Sequence, residues 1–355
     1  MKNLFTKNYK WMMVAVCIVA VFTFASCDDW TEVESLTVNQ PNIAEQEPAL
    51  YEKYLESIRN YRHVSHKVVI AQFDNLDNQG GRRYHLTNLP DSIDIISLKQ
   101  PEVLPDWMQK EMMTCRDRKG MKFVYEIDFA TLSQEYKDLE SASEVEQQTF
   151  ADYATEYVNR HLALCEKEGY DGVIVRYVGL YTGYMTNDEK EDYIARQSIF
   201  LDIFINWYNE HTGKILIFRG TPHFIEDKYL AEGSLLLNSK YIIVETSAAT
   251  AATDIDYLMA NVMDKSGIPF DRFIVTASTY SLDAKDQTTG HFWDVKGNAV
   301  SAVSGCARWV VSFNNDYKKA GLYILETQND YYHSEKVYPN ICLLYTSDAA
   351  DEARS

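Results

Sequence analysis

Four acidic side chains stand at the ends of apolar segments, where a folded chain could use them for chemistry. Glu126 and Asp128 close one segment rich in β-branched and aromatic residues, and Glu245 and Glu326 close two others. A carboxyl group in such a position can transfer protons to or from a substrate. It can also pair with a neighbouring arginine or with a helix N-terminus, and the sequence leaves both roles open.

Other chemistries find no support in the residue patterns. The eight histidines are scattered, and no group of His and Cys residues has the spacing of metal ligands. The sequence contains no G-x-S-x-G nucleophile motif. The formal net charge of −18 argues against nucleic acid, whose phosphates need a basic surface. We therefore predict no metal, no cofactor and no nucleic-acid partner.

The acidic residues belong to an alternation of strands and helices. Helical patterns at 149–169, 187–213 and 254–265 separate several of eight apolar segments of strand length. Such an alternation predicts a parallel sheet covered on both faces, and eight units favour a (β/α)8 TIM barrel. A doubly wound sheet is the alternative, but no glycine-rich phosphate loop follows the first strand. The predicted strands are 67–73, 93–98, 122–127, 172–177, 214–218, 241–244, 272–277 and 321–325.

The fourth strand, GYDGVIVRYV at 169–178, carries a family resemblance. It is similar to the fourth strand of glycoside hydrolase family 18, the barrel of chitinases and endo-β-N-acetylglucosaminidases, whose pattern there is D-G-x-D-x-D-x-E. Asp171 and Gly172 match the start of the pattern, and Tyr177 matches the aromatic residue that often precedes the catalytic glutamate. The resemblance covers residues 49–341 and implies a sugar-binding barrel.

The three positions that carry the family's chemistry do not match. Ile174 and Arg176 stand where the family has two inner aspartates, and Val178 stands where it has the catalytic glutamate. Family 18 enzymes use the substrate's own acetamido group as nucleophile, with a glutamate that donates a proton and an aspartate that steadies the charge. Valine cannot donate a proton, isoleucine cannot stabilise a positive charge, and arginine would repel it. The resemblance therefore implies a barrel with no catalytic residue by the family mechanism.

Aromatic side chains near predicted strand ends fit a carbohydrate-binding cleft. Sugar rings expose apolar C–H faces edged with hydroxyls, so their sites pair aromatic rings with amides and carboxylates. Tyr177, Tyr181 and Tyr184 follow the fourth strand, although each ring could equally serve as core or rim packing. The predicted substrate-binding residues are Phe73, Asp74, Glu126, Tyr177, Tyr181, Arg219, Glu245, Trp293, Trp309 and Asn329.

The N-terminus has the pattern of a lipoprotein signal. Three lysines accompany an apolar run at 11–24, which is shorter than the ~20 residues that span a bilayer. Ala25-Ser26-Cys27 resembles the bacterial lipobox, which predicts a signal peptide over 1–26 and a diacylated Cys27. An ordinary signal peptide is the alternative. The following Asp28-Asp29 resembles an export tag of Bacteroidetes surface lipoproteins, so we expect an acidic tether over 27–48 and an outer-membrane, cell-surface location.

The C-terminal residues 342–355 differ in character from the rest of the chain. They begin CLLYTSDAADE, which resembles the translated read-through of a sequencing adapter. A genuine acidic terminus is the alternative. The adapter interpretation predicts that the natural chain continues beyond Ile341 and that the C-terminal helix of the barrel is truncated.

These observations predict a cell-surface lipoprotein that captures glycans containing N-acetylglucosamine, such as N-glycans or chitin oligomers, without cleaving them. Its expected partners are the glycan, the outer membrane through the lipid anchor, and the importer and endoglycosidase of the same uptake system. Two alternatives stay open. One is an active endo-β-N-acetylglucosaminidase or chitinase with a displaced acid, and the other is a protein-interaction platform in a glycan-uptake complex.

Overall fold

Eight parallel strands close into a barrel in the computed structural model, which describes residues 46–142, 148–231, 233–332 and 337–342. The barrel strands are β1 (Val68–Phe73), β2 (Ile95–Leu98), β3 (Lys122–Asp128), β4 (Gly172–Tyr177), β5 (Ile215–Gly220), β6 (Tyr241–Val244), β7 (Phe273–Ser278) and β10 (Lys319–Leu325). Neighbours in the chain are neighbours in the barrel, and β10 pairs with both β7 and β1. The closed ring confirms the predicted (β/α)8 barrel and excludes a doubly wound sheet, because that sheet keeps two open edges.

Helices fill most of the connections between strands. They are α1 (Pro48–Tyr61), α2 (Asp106–Thr114), α3 (Phe129–Ala142), α4 (Phe150–Lys167), α5 (Asn187–Glu210), α6 (Leu235–Asn238), α7 (Ala252–Met263) and α8 (Ala302–Val311). The helices α4, α5 and α7 correspond to the three predicted helical patterns. Side chains fix two of their starts, since Thr149 accepts from the amide of Asp152 and Thr186 forms a capping box with Glu189. Within the described residues, no helix combines the length and the apolar character that a bilayer crossing requires.

The core has two apolar layers, because successive side chains of a strand point to opposite faces. One layer fills the inside of the barrel and the other lies between the strands and the helices. The inner layer consists of Val68, Ile70, Ile95, Val124, Ile174, Ile217, Ile243, Ile274, Ala320 and Tyr323. A residue an odd number of positions from one of these along its strand faces the helices instead, except in β10, where an irregularity between Lys319 and Gly321 shifts the alternation.

A hairpin interrupts the alternation between β7 and α8. Its strands are β8 (His291–Trp293) and β9 (Ala299–Ser301), and the amide of Trp293 donates to the carbonyl oxygen of Thr250 at 2.7 Å. The ring of Phe292 lies directly against Gly305 of α8, where a Cβ would come within 2.2 Å of the ring. Glycine at this position therefore lets the hairpin pack closely on the helix.

A second glycine allows close packing at the end of β5. Gly220 has a φ of 144°, and a Cβ there would lie 1.8 Å from the carbonyl oxygen of Tyr177 on β4. A side chain would clash with the neighbouring strand, so the position requires glycine. This close approach brings the ends of β4 and β5 together beside Arg176 and Arg219.

Several sequence predictions concern residues that the structure does not describe. The predicted signal peptide, Cys27 and most of the tether over 27–48 lie outside the described residues, as do residues 343–355. The barrel unit begins at Tyr54, within α1, so the described residues 46–53 belong to a separate unit. The predicted domain boundaries at both ends of the chain stay predictions.

Candidate functional site

Charged side chains from four neighbouring strands meet inside the carboxyl-terminal end of the barrel, which we call the barrel mouth. The charged mouth residues are Glu126, Asp128, Arg176, Arg219 and Glu245. Four of them stand two positions beyond the inner-layer residues Val124, Ile174, Ile217 and Ile243. Because every second side chain of a strand points to the same face, these charged side chains point into the barrel, as the inner-layer residues do.

Arg219 joins two of the acids and is the most deeply buried member of the group, with its side chain 5% exposed. Its Nη1 donates to Oε2 of Glu126 at 2.7 Å, and its Nε lies 2.9 Å from Oε1 of Glu245. The guanidinium also stands over the ring of Tyr323, 5.0 Å from the ring centroid. The arginine is thus held on three sides by partners that favour its charge.

Arg176 joins the same acids from the neighbouring strand. Its Nη1 donates to Oδ2 of Asp128 at 3.0 Å, and its Nε donates to Oε1 of Glu245 at 3.2 Å. The same Nε lies 3.8 Å from Oε1 of Glu126. Two arginines and three acids therefore form one connected network across the barrel mouth.

Burial and pairing act against each other in this network. Burial raises the pKa of Glu126 above its ordinary value, while the guanidiniums of Arg219 and Arg176 act in the opposite direction. Burial acts against the charge of Arg219, but Glu126, Tyr323 and Glu245 outweigh it and raise the pKa of the arginine. The acids of the barrel mouth are therefore engaged with cations.

The barrel mouth also contains a cavity of about 430 Å³. All of the charged network except Glu245 lines it, together with hydrogen-bonding side chains that include Gln72, Ser97, Lys99, Tyr157, His161, Ser278 and Glu326. Lys99 and Glu326 form an ion pair of 2.7 Å at its edge. Sequence reasoning missed Gln72 and Ser97, although each stands two positions after an inner-layer isoleucine, and that spacing could have found them.

The sequence matches the model of a known protein family. The family model of glycoside hydrolase family 18, BT1044-like, matches residues 31–343. The chain belongs to glycoside hydrolase family 18. No curated protein matches its sequence.

Solved structures show the same family 18 barrel at low sequence identity. A selenomethionine variant of BT1044 is 15% identical, with 86% of this chain and 95% of that chain covered and a TM-score of 0.59. The Group IV chitinase of Ostrinia furnacalis, in complex with allosamidin, is 11% identical, with 80% and 99% covered and a TM-score of 0.51. An immunomodulatory active chitinase of Trichuris suis is 12% identical, with 79% and 99% covered and a TM-score of 0.50. At these identities the likeness shows the fold.

The structure shows what replaces the family 18 acids on β4. Ile174 is fully buried in the inner layer, and Arg176 is ion-paired in the barrel mouth. Val178, at the position of the catalytic glutamate, is 41% exposed just beyond the strand. Asp171 stands before β4, at the opposite end of the barrel, and pairs with Arg116 at 2.9 Å. None of Ile174, Arg176 and Val178 can act as a general acid.

Two residues predicted to bind substrate lie in the core instead. Tyr177 is fully buried in the layer between strands and helices, and its hydroxyl accepts from Nε2 of Gln197 at 2.8 Å. Phe73 is fully buried in the same layer. The prediction that they line a groove is wrong, because each stands an odd number of positions from an inward-facing residue.

The two predicted tryptophans also lie away from the barrel mouth. Trp293 is on the β8–β9 hairpin, and Trp309 is on α8, where its Nε1 donates to Asp256 at 2.7 Å. Both line a second cavity at the side of the barrel. Trp293 lies in the loop after β7, where the sequence places it, but neither tryptophan lines the cavity of the barrel mouth.

The remaining predicted residues stay near the strand ends. Asp74 follows β1 and accepts from Nε2 of Gln100 at 3.0 Å, and Asn329 is half-buried after β10. Tyr181 follows β4, is 62% exposed and packs against Tyr184 with ring centroids 5.4 Å apart. A role of these residues in binding remains a prediction, as it does for Glu126, Arg219 and Glu245. In the described part of the chain, no group of three or more His, Cys, Asp or Glu side chains could hold a metal ion.

Proposed function

We propose that this family 18 barrel binds a glycan containing N-acetylglucosamine at its mouth and does not cleave it. The observation that carries the proposal is the ion-paired network of Arg176 and Arg219, because the resemblance aligns Arg176 with one of the family's inner aspartates. The cell-surface location and the capture of glycans for uptake are parts of the same proposal.

The loss of hydrolysis follows from the magnitude of the missing contributions. General-acid catalysis typically accelerates a reaction by about 10²–10⁴-fold, and one group that stabilises the developing charge by about 10²–10³-fold. Val178 supplies neither effect, and the positive charge of Arg176 opposes the second. The barrel loses both contributions at once.

Binding can persist without these acids, since it depends on hydrogen bonds and stacking. The cavity of the barrel mouth offers hydroxyl, amide and carboxylate groups to sugar hydroxyls. The exposed rings of Tyr181 and Tyr184 follow β4 in the chain and offer stacking surfaces. Stacking on one aromatic ring contributes about 0.5–1.5 kcal/mol beyond burial.

Glu126 is the one observation that favours a second candidate, an enzyme with a displaced acid. A general acid in a glycosidase needs a raised pKa, and burial raises the pKa of Glu126. Its Oε2, however, accepts a hydrogen bond of 2.7 Å from Arg219, and that contact favours the charged form. We therefore place non-hydrolytic binding first.

Product analysis separates the two candidates. Purified protein should release no N-acetylglucosamine-terminated product from chitin oligomers or from N-glycoproteins. Turnover that persists through extensive purification, and that Glu126→Gln or Glu245→Gln abolishes, would establish the displaced-acid enzyme and refute the proposal.

The proposed location rests on Cys27 and is tested separately. Diacylation of this cysteine would hold the mature protein to the outer membrane. The protein should partition with outer membrane and be cleaved by protease added to whole cells, whereas Cys27→Ala should release it into the periplasm. A variant that stays in the membrane fraction would show that the lipobox assignment is wrong.

A further inference from the structure

A cavity of about 1,020 Å³ lies at the side of the barrel, and we call it the lateral groove. Residues of α7, the β8–β9 hairpin, α8 and the segment after α8 line it, among them Trp293, Trp309, Phe313 and Tyr317. Among the described residues, the lateral groove and the cavity of the barrel mouth share no lining residue. The lateral groove is therefore a separate site, with more than twice the volume of the cavity in the barrel mouth.

The inner side of the lateral groove is rigid and aromatic. Trp309 is nearly stacked on Tyr317, with ring centroids 6.3 Å apart and planes inclined by 26°. The ammonium group of Lys319 lies 3.8 Å from the centroid of the Trp309 ring, and Asp256 accepts from its indole nitrogen. These contacts fix the tryptophan, so the aromatic lining needs little ordering when a ligand binds.

Two further aromatic rings of the lining are exposed to solvent. Trp293 is 55% exposed, and Phe313 is 86% exposed. Exposed aromatic side chains lose water favourably when an apolar surface covers them, and their flat faces match the C–H face of a pyranose ring. The two rings therefore offer stacking surfaces above the fixed pair.

Polar groups on the same lining can bind hydroxyls. Arg308 is exposed and lies 3.9 Å from Asp294 of the hairpin. Asn314 accepts from the amides of Asp316 and Tyr317, which holds its side chain against the turn that borders the groove. Four aspartates and three cations line the groove, so their charges nearly cancel. Near balance favours a neutral ligand over a strongly charged one.

We propose that the lateral groove is a second carbohydrate-binding site, which takes a neutral pyranose oligosaccharide independently of the barrel mouth. A polypeptide helix in a groove is held mainly by aliphatic and aromatic anchors together. Here the large apolar side chains of the lining are mostly aromatic. Five of them are aromatic, and two, Val295 and Met263, are not. A lining that combines aromatic rings with polar side chains matches a sugar chain better than a helix.

Calorimetry on the full mature chain tests this site with neutral tetrasaccharides of N-acetylglucosamine, glucose and mannose as probes. At least one probe should bind, and Trp293→Ala and Phe313→Ala should each weaken that binding by about two- to tenfold, the loss of one stacked ring. Tyr257→Ala removes an equally exposed ring of α7 that does not line the groove, and it should leave the affinity unchanged.

The outcomes separate this site from the barrel mouth. Binding that weakens with Trp293→Ala but not with Tyr181→Ala supports the lateral groove, whatever the mouth does. A protein that binds none of the three probes, or that binds with both groove variants unchanged, overturns the proposal. If one of the two groove variants no longer unfolds cooperatively, the other variant carries the test. Trp293 and Phe313 are both exposed, and neither belongs to the core.

Discussion

The barrel mouth and the lateral groove offer two kinds of surface within one fold. In the barrel mouth the strand period turns charges inward, and two arginines engage three acids in a confined space. In the lateral groove an inserted hairpin and α8 gather aromatic rings, with charged and polar side chains on the same lining. The positions that the resemblance aligns with the family's acids hold Ile174, Arg176 and Val178 in the first region, while two of the aromatic residues predicted for that region, Trp293 and Trp309, line the second.

This difference shows how a family site can change while its scaffold persists. The inner positions at the carboxyl ends of β3 to β6 are charged, and cations stand beside the acids there. Buried ion pairs contribute little net stability, yet they become costly when one partner is removed. The mouth network is therefore fixed as a unit, whereas the exposed rings of the lateral groove can change one at a time.

The largest effect should come from breaking the mouth network. Arg219→Met leaves Glu126 and Glu245 without their closest cation, which should lower the free energy of unfolding by about 3–5 kcal/mol. Lys228→Met removes a partner from the exposed ion pair with Asp202 and should cost less than about 1 kcal/mol. Urea denaturation of both variants measures the two values, and equal losses would contradict a tightly coupled mouth.

A smaller effect should come from separating the hairpin from α8. Gly305→Ala places a methyl group against the ring of Phe292, and the overpacking should cost about 1–3 kcal/mol despite the better helix propensity of alanine. Gly213→Ala is the control, because no atom lies within 4 Å of a Cβ built there. Thermal unfolding compares them. If Gly305→Ala is as stable as the parent, the hairpin does not pack on α8 as described.

Binding at the mouth should depend on its rim aromatic residue by a smaller amount. Tyr181→Ala should weaken binding of N-acetylchitotetraose to the mouth by about two- to tenfold, because one stacking surface is lost. Tyr257→Ala again serves as the exposed-tyrosine control. The contact is uncharged, so its strength should change little between low and moderate salt. A steep salt dependence in calorimetry would show that ions, rather than rings, hold the glycan.

The smallest effects should appear in the pH dependence of stability, with opposite signs in the two regions. Amides of Lys296 and Asn298 donate to Asp294 and lower its pKa, so its stabilising contribution is present above its unfolded pKa and is lost as the pH falls through the folded value. Burial raises the pKa of Glu126 in the folded protein above its value in the unfolded chain. The unfolded chain therefore loses this proton first, and the stability of the fold declines as the pH rises from the unfolded pKa through the folded one.

Denaturation of two variants between pH 3 and pH 7 checks these signs. The deficit of Asp294→Asn should be present at pH 7 and vanish at the acidic end. The stability of Glu126→Gln relative to the parent should rise with pH, since glutamine does not ionise. A decline instead would show that Arg219 dominates over burial at Glu126.

The barrel could be predicted from the sequence because the apolar run typical of a buried strand occurs eight times. Each strand is a short apolar run, and the helices between several of them have their own period, so an error at one element changes little. The barrel mouth was predicted in part for the same reason. Glu126, Arg219 and Glu245 stand at strand ends, and the ends of parallel strands meet.

The wrong predictions for the aromatic residues have equally specific causes. Tyr177 was assigned to a groove by its distance from the strand end, whereas the strand period places it among the helices. The sequence places Trp293 in the loop after β7, but the β8–β9 hairpin that carries it is formed by strands of three residues, too short to give a recognisable apolar run. Trp309 was misplaced because α8 was not recognised as a helix.

The most direct test of the central claim is a crystal structure of the full mature chain with N-acetylchitotetraose. We predict an intact tetrasaccharide with at least one sugar in the barrel mouth, beside Tyr181 and the network of Arg176 and Arg219. A cleaved product in the mouth, or a mouth without sugar in crystals soaked well above the measured dissociation constant, would contradict the account.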